Sequence, residues 1–123
     1  MQLEITISGE LPDLNEIIRI AKSHFAAYAK AKSMHTEAVA WECAGVPRGQ
    51  LKMPVDITCT WHTKNLMKDP DNVSAGVKFV LDGLVMAGVL PDDRRKQINS
   101  ITHKFGVDKL NPRVEIILAE VGA

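Results

Sequence analysis

The stretch "KDPDNVSAGVKFVLDGLVMAGVLPDDRRK", residues 68–96, decides how the rest of the chain is interpreted. Two aspartates flank Pro70, an apolar segment follows, and a second pair of aspartates precedes three basic residues. Asp69 before a proline is typical of a helix N-cap, and Asp71 in the first turn favours the positive end of the helix dipole. Apolar residues recur at helical spacing, at positions 73, 77, 80, 81, 84 and 88. The pattern predicts a helix that begins at about residue 70, with acidic segments at both ends.

Four other segments have the pattern of β-strands. "LEITISG" (3–9) and "VDITCTWH" (55–62) alternate apolar with polar residues, which indicates strands with one buried face. "QINSITHKF" (97–105) alternates poorly but is a plausible third strand, and "RVEIILAEV" (113–121) has strong β propensity.

A helical region lies between the first two strands. Asp13 followed by Glu16 resembles a capping box, and helical character extends to about Cys43, with a break expected near Ser33. The resulting order, β-α-β-α-β-β, predicts an α+β fold in which helices pack on a small mixed sheet of about four strands.

Composition limits the class of protein. With 123 residues, 46% hydrophobic and 24% charged, the chain fits one soluble domain, residues 1–123. The N-terminal segment has no signal-peptide pattern and no segment is long and apolar enough for a membrane, so we expect a cytoplasmic protein without a membrane partner. Cys43 and Cys59 are expected as free, buried thiols. A net charge of zero argues against DNA binding through overall positive charge but permits a local basic face.

The polar side of the helix after Asp69 carries charged residues at matching angles. At ~100° per residue, Lys78 and Asp82 lie about 20° to either side of Asp71. We therefore expect these three side chains to share one face of the helix.

The aspartate pairs at the two ends of this helix suit a hard cation. Each aspartate alone has a structural explanation as a cap or turn residue. Asp92 and Asp93, however, precede a strand that can return alongside the one before Asp69. Magnesium takes oxygen ligands, usually one or two carboxylates with water and substrate phosphate, so a magnesium site is one interpretation of this cluster.

Basic and aromatic residues surround the acidic segments. Positive charge beside a candidate metal site is what a phosphodiester substrate requires. Trp41 and Trp61 are expected in the core or in a dimer contact, and His62 and His103 are plausible phosphate contacts. The basic residues concerned are Lys64, Lys68, Arg94, Arg95, Lys96 and Lys104.

These motifs resemble the RusA-like endodeoxyribonucleases of phages and prophages, which are Holliday junction resolvases. The resemblance consists of "KDPDN", a lysine on the next helix, "LDGLVMAGVL" and the closing "DD", in that order, and it covers about residues 53–105. "GELPDLNEII" (9–18) is a looser match to the Pro-x-x-Asn turn that follows the first strand in the family.

The resemblance implies roles for particular residues. Asp69, Asp71 and Asp93 would be the magnesium-binding catalytic carboxylates, assisted by Asp92. Lys78 would be the family's essential lysine, although it lies three residues farther from the second aspartate than in the best-known member, a shift of about 4.5 Å along a helix. The implied DNA contacts are Lys68, Arg94, Arg95, Lys96, Lys104 and Asn15.

The implied activity is magnesium-dependent resolution of four-way DNA junctions in a bacterial host cell. A homodimer would place two sites on two strands and make paired symmetric cuts, with DNA and no small molecule as substrate. Three alternatives remain open: a nuclease for other branched DNA, a non-catalytic phage DNA-binding protein of the same fold, and an interaction module whose acidic cluster binds calcium or nothing.

Overall fold

A computed structural model describes residues 1–122, which form an α+β domain. The predicted order of elements is confirmed, and each of the two helical regions is divided in two. In chain order the elements are β1 (Gln2–Ser8), α1 (Leu14–Ser23), α2 (Phe25–Glu42), β2 (Val55–Thr63), α3 (Pro70–Ser74), α4 (Val77–Met86), β3 (Ile98–Val107) and β4 (Arg113–Glu120).

The four strands form one mixed sheet in the order β1-β4-β2-β3. β4 pairs antiparallel with both β1 and β2, whereas β2 and β3 are parallel. Parallel neighbours need a crossover connection, which α3 and α4 provide. The chain therefore leaves the C-terminal end of β2 and enters β3 from the opposite end of the sheet.

The core lies on one face of this sheet. Alternate residues of β2, from Val55 to Trp61, are buried as the sequence pattern predicts, and α2 and α4 pack against them through Val39 and Leu84. The other fully buried side chains of the core are Ile57, Cys59, Val80, Leu90, Val114, Ile116 and Leu118.

The first helical region breaks earlier than expected. Asp13 caps α1 as predicted, since its Oδ1 accepts a hydrogen bond of 2.8 Å from the Glu16 N–H. The break expected near Ser33 is wrong, because α2 passes through that position without interruption. The break lies at His24, whose extended backbone ends α1 and whose Nδ1 accepts from Ala26 N at 3.2 Å and so caps α2.

The second helical region is also two helices rather than one. The turn at residues 75–76 places the Gly76 backbone against the buried indole of Trp61, where an added Cβ would lie 3.1 Å from a ring carbon. Gly76 N donates to Val73 O at 3.2 Å, a three-residue bond that ends α3. The angular positions that ~100° per residue gives for one continuous helix therefore do not apply across this turn, from Asp71 to Lys78.

The cysteine prediction is confirmed, and the two tryptophans differ. Cys43 and Cys59 are free and buried, and burial raises the pKa of their thiols to about 11 and about 12. Trp61 belongs to the core, as expected, whereas Trp41 is 80% exposed on α2, so of its two expected positions only the dimer contact remains, as a prediction.

Candidate active site

The first aspartate pair lies at the start of α3, immediately after β2. Asp69 is the N-cap residue, as predicted, but its side chain makes no capping hydrogen bond. Asp71 Oδ1 accepts from Asn72 N at 3.0 Å. Both carboxylates are exposed, and within residues 1–122 neither takes part in an ion pair. The start of α3 thus presents two carboxylates to solvent.

A surface groove adjoins these carboxylates at the C-terminal ends of β2 and β3. Its volume is about 230 Å³, and Asp69 forms part of its wall. Phe105 and Val107 of β3, 47% and 49% exposed, also line it, as does Leu66, which is 87% exposed. We call this cavity the strand-end groove.

The second aspartate pair lies in a different environment. Asp92 Oδ1 accepts from Asp93 N at 2.8 Å, and Asp92 Oδ2 pairs with Arg94 Nε at 3.1 Å. Asp93 lines a separate groove of about 580 Å³ between α2 and α4, together with Asp82 and Lys32. Asp93 is therefore a neighbour of the C-terminal half of α4 rather than of α3.

One chain keeps the two aspartate pairs apart. Asp69 follows the end of β2, whereas Asp93 precedes the start of the parallel β3. The two parallel strands place the end of β2 and the start of β3 at opposite edges of the sheet, and Asp69 and Asp93 line separate grooves. In the part of the chain that the structure describes, no three His, Cys, Asp or Glu side chains form a group that can hold a metal ion. Magnesium suits the carboxylate chemistry, but a single chain does not assemble a complete ligand set, and the metal site stays a prediction.

Lys78 lies in the first turn of α4 and is paired within its own helix. Its Nζ is 3.9 Å from Asp82 Oδ2, and its side chain is 46% exposed. Lys78 and Asp82 thus share one face of α4, whereas Asp71 lies in α3, a separate short helix, so its place on that face stays a prediction.

The candidate DNA contacts are divided between two surfaces. Arg94, Arg95 and Lys96 are exposed in the turn that follows Asp93. Lys104 is in register with Thr60, on the sheet face opposite the core, and so points away from the helices. Arg94–Lys96 is the basic segment that accompanies the candidate carboxylates.

Lys68, another candidate DNA contact, already has protein partners. Its Nζ lies 3.0 Å from Asp13 Oδ2, 3.7 Å from Glu10 and 3.9 Å from Glu16. Burial opposes the charged form of Lys68, but these carboxylates outweigh it and raise its pKa. Burial likewise opposes ionisation of Asp13, but the Glu16 N–H and Lys68 hold the pKa of this carboxyl below its usual value. The sequence offered no signal for the pairing, because more than fifty residues separate the partners.

Asn15, the remaining candidate contact, bonds to the residue that follows the first carboxylate pair. Its backbone N–H donates to Asn72 Oδ1 at 3.1 Å, while its side chain is exposed. The start of α1 and the start of α3 are thus joined directly.

Both histidines considered as phosphate contacts bond to other side chains. Trp61 Nε1–H donates to His103 Nδ1 at 2.9 Å, and the two rings stack with centroids 5.9 Å apart. Burial lowers the pKa of His103, which favours the neutral ring that this bond needs. His62 Nε2 lies 2.7 Å from Glu115.

A scan against protein-family models gave no match, and a search of curated proteins found no significant match. The similarity to RusA-like enzymes therefore rests on the motifs themselves. No helix within residues 1–122 is long and apolar enough to cross a membrane.

Proposed function

We propose that the chain is a magnesium-dependent endodeoxyribonuclease that resolves four-way DNA junctions as a homodimer. The ordered motifs support this activity, as do the two exposed carboxylates at the start of α3. The observation that carries the proposal is that one aspartate pair follows β2 and the other precedes the parallel β3, which is an open edge of the sheet. A second subunit that pairs with that edge would bring its second aspartate pair to the first aspartate pair of this chain.

The edge strand β3 is suited to pairing with a copy of itself. Three of its apolar side chains, Ile101, Phe105 and Val107, are 38–49% exposed on the face that carries the core. An exposed apolar edge strand is a template for another strand. In a two-fold antiparallel pair, the start of one β3 lies beside the end of the other. Asp93 of the partner subunit then approaches Asp69 at the strand-end groove.

The donors that meet in such a dimer fit magnesium. Asp69 and Asp71 come from one subunit, and the residues equivalent to Asp92 and Asp93 from the other, which leaves positions for water and phosphate oxygens. When bound, the cation would polarise the phosphoryl group and lower the pKa of a bound water. The chain itself holds these carboxylates at the groove. The exposed cationic segment 94–96, directly after Asp93, would attract the DNA backbone.

The symmetry of the dimer favours a four-way junction as substrate. Two equivalent sites related by a two-fold axis act on two strands that are themselves related by a two-fold axis. Contacts to backbone phosphate would select the shape of the junction rather than its sequence.

A non-catalytic DNA-binding protein is the second candidate. Its support is that the described part of one chain assembles no three-ligand group for a metal ion. A cleavage assay separates the two candidates.

The assay compares a labelled four-way junction with a matched linear duplex, with magnesium or with EDTA. We expect magnesium-dependent paired cuts in the junction, loss of cutting in Asp71→Asn with retained binding, and no effect of Glu4→Gln, a control carboxylate exposed on β1. Equal cutting of both substrates would reject junction selectivity. Binding without cutting under any divalent ion would support the non-catalytic candidate instead.

A further inference from the structure

We propose that the start of α1 is a positioning element for the carboxylates of α3, acting through Asp13–Lys68 and Asn15–Asn72. We call residues 69–71 the carboxylate turn. The inference rests on the proposed function only for its effect on catalysis. Its structural part concerns how the turn is held and can be tested without activity.

The first contact is the ion pair directly before the carboxylate turn. The two carboxylate oxygens of Asp13 have different partners. Oδ1 caps α1, and Oδ2 lies 3.0 Å from Lys68 Nζ. The Asp13 side chain is only 8% exposed, so the pair is shielded from solvent on that side. Because the ammonium of Lys68 is surrounded by carboxylates of the α1 segment, it does not neutralise the adjacent Asp69.

The second contact lies directly after the turn. Asn72 Oδ1 accepts from Asn15 N, an N–H in the first turn of α1 that has no partner within its own helix. The backbone N–H of Asn72 donates in turn to Asp71 Oδ1. The residues on both sides of the carboxylate turn, 68 and 72, are thus each fixed to α1.

The short helix α3 needs such support. It has five residues, no side-chain capping bond and one buried side chain, Val73. A helix of this length is not stable by itself, because nucleation is unfavourable and few hydrogen bonds follow. The position of Asp69 and Asp71 must therefore come from contacts with other elements, and α1 supplies polar contacts on each side.

This arrangement assigns Lys68 a different role from a DNA contact. Asp13, Lys68 and Asn72 act as positioning residues, which touch neither substrate nor metal. Their loss should lower turnover, because small displacements of reacting groups are costly, while junction affinity stays unchanged.

The test compares Lys68→Met and Asp13→Asn with Lys68→Arg and with Lys64→Met, a control at an exposed lysine of the same connection. Asparagine is also a good N-cap, so Asp13→Asn retains the helix start and removes only the charge. The readouts are hydrogen exchange of amides 69–74, junction affinity, and the single-turnover cleavage rate. Thermal unfolding shows that each variant is folded.

We expect faster exchange of amides 69–74 in Lys68→Met and Asp13→Asn, and little change in Lys68→Arg and Lys64→Met. We expect the first two to cut about tenfold or more slowly at saturating junction, with unchanged affinity. Unchanged exchange in both would overturn the positioning role whatever the activity. The positioning role would also be overturned, in favour of a DNA contact, if Lys68→Met bound the junction more weakly with normal turnover and Asp13→Asn had no effect. If the wild type cuts no DNA, the proposed function fails, and the exchange data still decide the positioning role.

Discussion

Asp69 and Asp93 line two separate grooves, one at the C-terminal ends of β2 and β3 and one between α2 and α4, although the sequence motif places them at the two ends of one helical segment. The crossover through α3 and α4 causes this separation. A single subunit is therefore expected to bind a divalent cation weakly, and the open edge of β3 becomes the feature on which activity depends.

Disruption of that edge should weaken dimer formation and, with it, cleavage. Phe105→Glu introduces a charge on the exposed apolar face of β3, where Phe105 is 47% exposed, and should weaken dimer formation by about tenfold or more with little loss of fold stability. Sedimentation analysis measures the dimer, and the junction assay measures cleavage. Leu110→Glu, at a 95% exposed position beyond the end of β3, is the matched control. An active Phe105→Glu monomer would contradict the dimer.

Removal of the Asp13 charge should change stability in the acid range. The folded-state pKa of Asp13 lies below its usual value of 3.8, so the unfolded state binds more protons and stability rises with pH. This contribution is complete above the usual pKa and is lost as the pH falls through the folded-state value. Asp13→Asn should lose about 1–3 kcal/mol at pH 7 and show a shallower acid dependence, measured by urea unfolding from pH 2 to pH 7. Parallel pH curves for wild type and variant would show that the ion pair contributes nothing.

Protonation of His103 should release the indole of Trp61. The bond from Trp61 Nε1–H needs an unprotonated Nδ1, and burial holds the pKa of His103 below its usual value of 6.5. A lowered pKa means that this stabilisation is present above the usual value and is lost as the pH falls through the folded-state value. The indole N–H resonance of Trp61 should therefore titrate in the acid range. The resonance of Trp41, which is exposed, serves as the internal reference. A Trp61 resonance that is constant until the protein unfolds would rule out this coupling.

Local patterns determined much of the fold. Alternation along β2 from Val55 to Trp61 and the N-cap at Asp13 each follow from a physical rule that acts within a few residues, and both are confirmed. The division of the second helical region at Gly76 depends on the close approach to Trp61, a tertiary contact that helical periodicity does not contain.

The candidate site was less predictable for the same reason. The sequence showed the aspartates and their order along the chain. It did not show the direction of β3 relative to β2, which decides whether the two aspartate pairs can meet in one chain. The partners of Lys68 are equally distant in sequence, so its charge gave no sign that it faces Asp13 rather than DNA.

The shared site is tested most directly by mixing two inactive variants, Asp71→Asn and Asp93→Asn, refolded together. In a mixed dimer with shared sites, one site carries both substitutions and the other carries neither. The mixture should regain about one quarter of the wild-type nicking rate, because half of the dimers are mixed and each keeps one of two sites. Its products should be single nicks rather than paired cuts. A mixture as inactive as either variant alone, although mixed dimers are present, would contradict a site that is shared between subunits.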